Sequence, residues 1–253
     1  MIEILQHIKD DIAALDRKAV TALAYTAFGL SSIYYLKGAN VPATFLRGTP
    51  FESFGLFIAD SASNNLPSLS WWVLVVSVFY IAIPVLIVKL SWRGRLSDYG
   101  LSFRIEKDFV KVFAAATVVM LPLVYLMSRT EGFALKYPFL HIYNGEPYMG
   151  STLLIWELIY FVQFVGLEFF FRGFLVHSLK PAFGLYSIFV MTVPYCMIHF
   201  GKPPAETMSA IVAGIFLGWL SFRNGNIWLG LALHCVVALS MDLFALNAKG
   251  LLI

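Results

Sequence analysis

The segment Ser151-Thr-Leu-Leu-Ile-Trp-Glu-Leu-Ile-Tyr-Phe-Val-Gln-Phe-Val-Gly-Leu-Glu-Phe-Phe-Phe-Arg-Gly-Phe-Leu175 decides the fold. Its apolar stretch is long enough to cross a bilayer, since about 20 helical residues at ~1.5 Å each span ~30 Å of hydrocarbon. It nevertheless carries Glu157, Gln163, Glu168 and Arg172. Polar and ionisable groups at membrane depth are costly, face the interior of a bundle and mark function. Glu168 and Arg172 are four residues apart, so on a helix they share a face and can pair. A carboxylate pair in lipid is an expensive fastener if it serves packing alone. The spacing therefore points to a carboxylate held in place by Arg172 and available as a base.

The rest of the chain agrees with a membrane reading. Of 253 residues, 59% are apolar and 13% charged, and the mean hydropathy is +0.77. Soluble domains average about 45–50% apolar and about 25% charged. An ordinary soluble globule, a disordered chain and a nucleic-acid binder are excluded; the net charge of +3 leaves no basic footprint for nucleic acid. Cys196 and Cys235 lie in apolar runs and make no disulfide framework.

Seven apolar runs are expected to span the bilayer: 19–36, 71–92, 109–127, 151–171, 182–200, 205–222 and 226–247. The fold class is an all-α polytopic helix bundle of about seven membrane helices, or eight if the loop 37–70 hides another. That loop is rich in Gly, Pro, Ser and Asn and has room for a re-entrant or surface helix around Phe51–Ile58. Three parts are expected: an N-terminal segment 1–18, a membrane part 19–150, and a core 151–247. Residues 1–18 lack the apolar core and cleavage site of a secretory signal. Leu5, Ile8, Ile12 and Leu15 recur there at helical spacing, which predicts an amphipathic helix on the membrane surface. With the N-terminus cytoplasmic, 12 of the 18 Lys and Arg fall on the cytoplasmic side, six of them in the loop 89–111, and six on the other. The positive-inside rule favours that orientation.

The polar groups at membrane depth crowd into the fourth to seventh runs: Glu157, Gln163, Glu168, Arg172, His177, His199, Glu206, His234 and Asp242. His141, in the loop 128–150, reads as solvated. Glu157 lies three turns before Glu168, ~16 Å along the axis, too far to share its proton. Asp242 is ~12 Å down the helix from His234 and is expected to reach His199 from the neighbouring helix instead. A shift of two turns between the two helical hairpins brings His199 and His234 level. His199, His234 and a carboxylate would also suit zinc with one open position. Cys196, three residues before His199, reads as a small core residue rather than a ligand.

The sequence Glu168-x-x-x-Arg172-Gly173, followed by Tyr195-x-x-x-His199 and then His234, resembles the CPBP family of CAAX prenyl proteases and bacteriocin-processing (Abi) proteins. The likeness covers roughly 150–245, and the loop Leu96-Ser-Asp-Tyr-Gly-Leu101 is similar to one that such proteins carry. It implies an intramembrane endopeptidase, glutamate-type or metallo, in which a glutamate and histidines from separate helices activate a water. By position, Glu168 would be the base and Arg172 its partner. His199 and His234 would hold the water or the oxyanion, and Lys202, Glu206, Asp242 and Glu157 would support them. The partners implied are a peptide or protein substrate and the lipid bilayer, and the setting a bacterial inner membrane. Two positions depart from the family: Leu167 stands where a first motif glutamate is usual, and Ala238 where an asparagine is frequent. Two other readings remain, a non-catalytic scaffold or immunity protein on the same fold, and a proton-coupled carrier.

Overall fold

The computed structural model describes residues 2–59, 64–105 and 107–252. The Leu5 and Ile8 side chains of the predicted amphipathic face lie outside the described residues. The chain around them is helix α1, Ile2–Ala14. Ile12 and Leu15 are exposed, as a surface-lying segment requires.

Among the described residues, six helices are long and apolar enough to cross a membrane: α2 (Arg17–Leu36), α5 (Leu66–Ser91), α6 (Phe109–Met127), α8 (Ser151–Phe183), α10 (Pro204–Asn224) and α11 (Trp228–Ala248). Between α2 and α5, α3 (Asn40–Phe45) and α4 (Glu52–Ala59) pack against each other. Helix α4 is the one expected near Phe51–Ile58. A short α7 (Glu131–Lys136) follows α6. The architecture is a polytopic all-α bundle.

The fifth apolar run differs from expectation. It forms α9, Tyr186–Met197, only 12 residues long. At ~1.5 Å per residue this helix covers about 18 Å, less than the hydrocarbon thickness. The chain leaves α8 through Gly184, at φ +53°, and leaves α9 just after Pro194. The Ile198 N–H donates to Pro194 O and the His199 N–H to Cys196 O, tightening the chain into turns that end at Gly201, φ +85°. His199 therefore sits beyond a helix end rather than inside a span.

Helix α8 is the centre of the bundle: 61% of its apolar window is buried, against 6% for α6. Its stretch Phe169–Leu175 widens into π-helical turns, and every residue there is buried. Wide turns of this kind occur frequently at functional sites. The Phe170 ring stacks on Tyr80 at 4.8 Å, and the Phe174 ring on Trp92 at 5.3 Å. Helices α9 and α10 approach closely because Gly214 faces Thr192 and Tyr195, and Gly218 faces Ile188 and Met191. Small residues permit such contacts between membrane helices.

The loop after α5 locks one end of the bundle. A short 3-10 turn, Leu96–Tyr99, ends at Gly100 with φ +87°. Gly100 O accepts from the Ile227 N–H at 3.1 Å, and Ser102 O accepts from the Trp228 indole at 2.7 Å. The face of Gly173 meets the Tyr99 carbonyl oxygen directly, and a Cβ on Gly100 would come within 2.9 Å of the Gly173 Cα. There is no room for a methyl between these backbones. Gly173→Ala is expected to cost ~1–3 kcal/mol through overpacking. Gly132→Ala, whose site is open, should leave stability unchanged or slightly raised. Thermal unfolding in detergent of the two variants beside the parent checks both.

Candidate active site

Three elements supply the site. Helix α8 brings Glu168 and Arg172, α9 brings Tyr195 with His199 in the turn beyond it, and α11 brings His234. The Glu168 carboxylate is fully buried, as is Arg172. Glu168 Oε1 lies 3.3 Å from Arg172 Nη1, so the pair that the four-residue spacing predicts is formed, even where the helix widens. The same oxygen lies 2.7 Å from His234 Nδ1. The other oxygen, Oε2, rests directly over Gly230, one turn before His234, where any Cβ would overlap it. Gly230 is what lets the carboxylate tuck against α11.

His234 is held on three sides. Besides Glu168 at Nδ1, its Nε2 lies 3.2 Å from the Tyr195 hydroxyl. Its ring stacks on Phe164 at 5.2 Å with an interplanar angle of 7°. His199 is held through its backbone neighbour: Nδ1 lies 2.8 Å from Tyr195 O. A carbonyl oxygen only accepts, so His199 Nδ1 carries the proton and Nε2 of the neutral ring keeps a lone pair. The Tyr195 and His199 rings are 4.8 Å apart. The two histidines thus meet on either side of Tyr195, the convergence that helix lengths alone left open.

The supporting acids go elsewhere. Asp242 does not reach His199. Its Oδ1 accepts from the Phe139 N–H at 2.9 Å and its Oδ2 from the Trp156 indole at 3.1 Å. The reason is reach: the two groups belong to different layers of the bundle, and the 137–140 segment descends onto Asp242. Glu157 is buried and neighbours Asp242, away from Glu168. Glu206 forms an ion pair with Lys202 at 2.6 Å and accepts the Tyr137 hydroxyl at 3.0 and 2.9 Å. Burial, with Tyr160 and Glu206 nearby, pushes the Tyr137 phenol well above its ordinary pKa and keeps it a donor. Asp242 and Glu206 fasten the loop between α7 and α8 to the bundle. His177 turns to Ser221 on α10, 3.2 Å away. His141 is partly exposed in its loop, with Nδ1 3.0 Å from the Tyr143 hydroxyl. Leu167 packs in the main core and Ala238 among Trp156, Tyr160 and Phe164.

The donors do not suit zinc. Both nitrogens of His234 are engaged, by Glu168 and Tyr195, and Nδ1 of His199 by a carbonyl. Arg172, a permanent cation, sits against the one nearby carboxylate and opposes a dication. Among the described residues no three His, Cys, Asp or Glu side chains gather as a metal-holding group. The variant reading of a zinc at His199 and His234 does not fit these donors.

Residues 149–240 match the Rce1-like family, type II CAAX prenyl endopeptidases. The Rce1-like segment contains Glu168, Arg172, Tyr195, His199 and His234, and it is the family that the motif spacing resembles. It is a family of membrane proteases, and the six apolar helices agree with a multi-pass protein. Neither a curated protein nor a solved structure matches the chain. Sequence reading passed over two groups of the Rce1-like segment. Tyr195 served only to mark the spacing to His199, although a hydroxyl one turn from a histidine was a signal. Gly230 lies four residues before an intramembrane histidine, a spacing that places it on the same helix face.

Removing one partner of a buried ion pair leaves the other charge unanswered, a loss of ~3–5 kcal/mol. Glu168→Gln is expected to destabilise the fold by that order. Glu206→Gln, at a pair only about a quarter exposed, keeps an acceptor for the Tyr137 hydroxyl and should cost less, about 1 kcal/mol. Denaturation midpoints in detergent distinguish the two.

Proposed function

We propose that the protein is an intramembrane endopeptidase that hydrolyses a peptide bond near the membrane through a Glu/His-activated water. The observation that carries this reading is the meeting of His199 and His234 around Tyr195, with His234 locked to the buried Glu168–Arg172 pair. Peptide hydrolysis needs a group to take a proton from water, a route for that proton to the leaving amine, and donors for the developing oxyanion.

His199 Nε2 is the base in this reading, because it keeps its lone pair and its ring is only half-buried. It takes a proton as the water oxygen attacks the carbonyl carbon, then returns it to the amide nitrogen as the C–N bond breaks. Glu168 is enclosed and acts through His234. Its carboxylate fixes the proton on Nδ1, as an orienting acid does for a catalytic histidine. Arg172 keeps that carboxylate ionised and in place. The substrate is a peptide or protein segment at the bilayer, and the N-terminus faces the cytoplasm, as the basic loop 89–111 favours.

A second reading has its own support. Leu167 stands at the first motif acid position and is packed in the core, which fits a fold that holds a peptide without cutting it.

The test is cleavage of a quenched-peptide library by purified protein in detergent. His199→Ala and His234→Ala should each reduce turnover by at least about a hundredfold, the lower end of a general acid–base contribution. A chelator should leave the rate unchanged. A stably folded parent that binds peptides and cuts none would decide for the scaffold reading.

A further inference from the structure

Tyr195 is 1% exposed and sits where three parts of the site meet. Its ring lies over the Arg172 guanidinium, 3.7 Å from Cζ to the ring centroid. Its hydroxyl reaches across from α9 to His234 Nε2 on α11 at 3.2 Å. Its own carbonyl holds His199 Nδ1 at 2.8 Å. One residue thus touches the cation that anchors Glu168 and both histidines.

The donor and acceptor roles follow from the partners. A carboxylate only accepts, so the Glu168 oxygen 2.7 Å away favours the proton on His234 Nδ1. In the ring protonated at Nδ1 alone, Nε2 is an acceptor and the Tyr195 O–H donates to it. Glu168 and Tyr195 grip opposite edges of the imidazole, while the flat stack on Phe164 sets its plane. With only the Glu168 contact, the ring would keep one hinge of freedom about that bond. The phenol removes it. Through its carbonyl, the same residue fixes where the His199 ring stands relative to His234.

We propose that Tyr195 is a positioning residue of the site, whose hydroxyl holds His234 in one tautomer and one ring orientation. The inference deepens the endopeptidase reading, and only the kinetic arm of its test depends on that reading. Phenylalanine keeps the ring on Arg172 and the backbone contact to His199, and removes the hydroxyl alone. Tyr195→Phe is therefore the variant to make; it should stay folded, with its melting temperature lowered by no more than the loss of one buried hydrogen bond.

The experiment compares the parent and Tyr195→Phe, both with ¹⁵N-labelled histidine, by NMR at one pH. The His234 signals are assigned through His234→Asn. The Nε2 resonance of His234 is expected to move in Tyr195→Phe, as a lone pair losing its donor does, and the Nδ1 resonance to stay. In a preparation that cleaves peptide, kcat should fall roughly tenfold to a hundredfold, the loss expected when a buried group is left without its hydrogen-bond partner, with KM unchanged. An unmoved Nε2 resonance overturns the proposal whatever the activity. So does an undiminished kcat in an active preparation. If the parent cuts nothing, the endopeptidase reading fails and the resonance alone decides the role of Tyr195.

Discussion

Glu168 and Arg172 form an ion pair with no access to water, inside a bundle whose outer faces are apolar. Neither charge is tolerable there alone. The carboxylate has to be met at once by the guanidinium on its own helix and by the imidazole of α11. That requirement draws α8 and α11 together at one level. It also explains Gly230, because no other residue leaves space for a carboxylate oxygen against the α11 backbone. Arg172 in turn needs a flat neighbour, and the Tyr195 ring of α9 supplies a π-face at 3.7 Å. The contacts of the site thus follow from burying one pair of charges.

The helix that carries the pair is held by backbone-to-backbone contact at Gly173 and Gly100 and by aromatic stacking around Phe170 and Phe174. The loop 96–105 reaches the start of α11 through Gly100 O and Ser102 O. The π-helical turns at Phe169–Leu175 lie between these anchors. The same loop therefore braces both the helix bearing Glu168 and the helix bearing His234.

At the other end, Asp242 and Glu206 serve the chain between α7 and α8 rather than the histidines. Asp242 takes a backbone N–H and an indole N–H, and Glu206 takes a phenol and an ammonium. The bundle accordingly has two polar layers. One is built around His234 and Glu168, and the other fastens a loop to the helix ends. Polar residues at membrane depth all look alike in a sequence; only their partners distinguish a reacting group from a fastener.

The sequence by itself determined the solvent and the class. Apolar runs of membrane length can be satisfied only by helices, because each backbone group must find its partner within its own segment. It also determined the Glu168–Arg172 pair, since four-residue spacing on a helix is local geometry, and the Rce1-like likeness, which rests on short motifs. The tertiary structure decided everything that depends on how helices are staggered. The depth of His199 hangs on where α9 stops after Pro194. The partner of Asp242 hangs on where the 137–140 loop descends. The place of Tyr195 between two histidines hangs on the close approach of α9 to α10 at Gly214 and Gly218. Residue spacing sets distances along one helix. Relative depth and rotation between helices arise from packing, and no single segment contains that information.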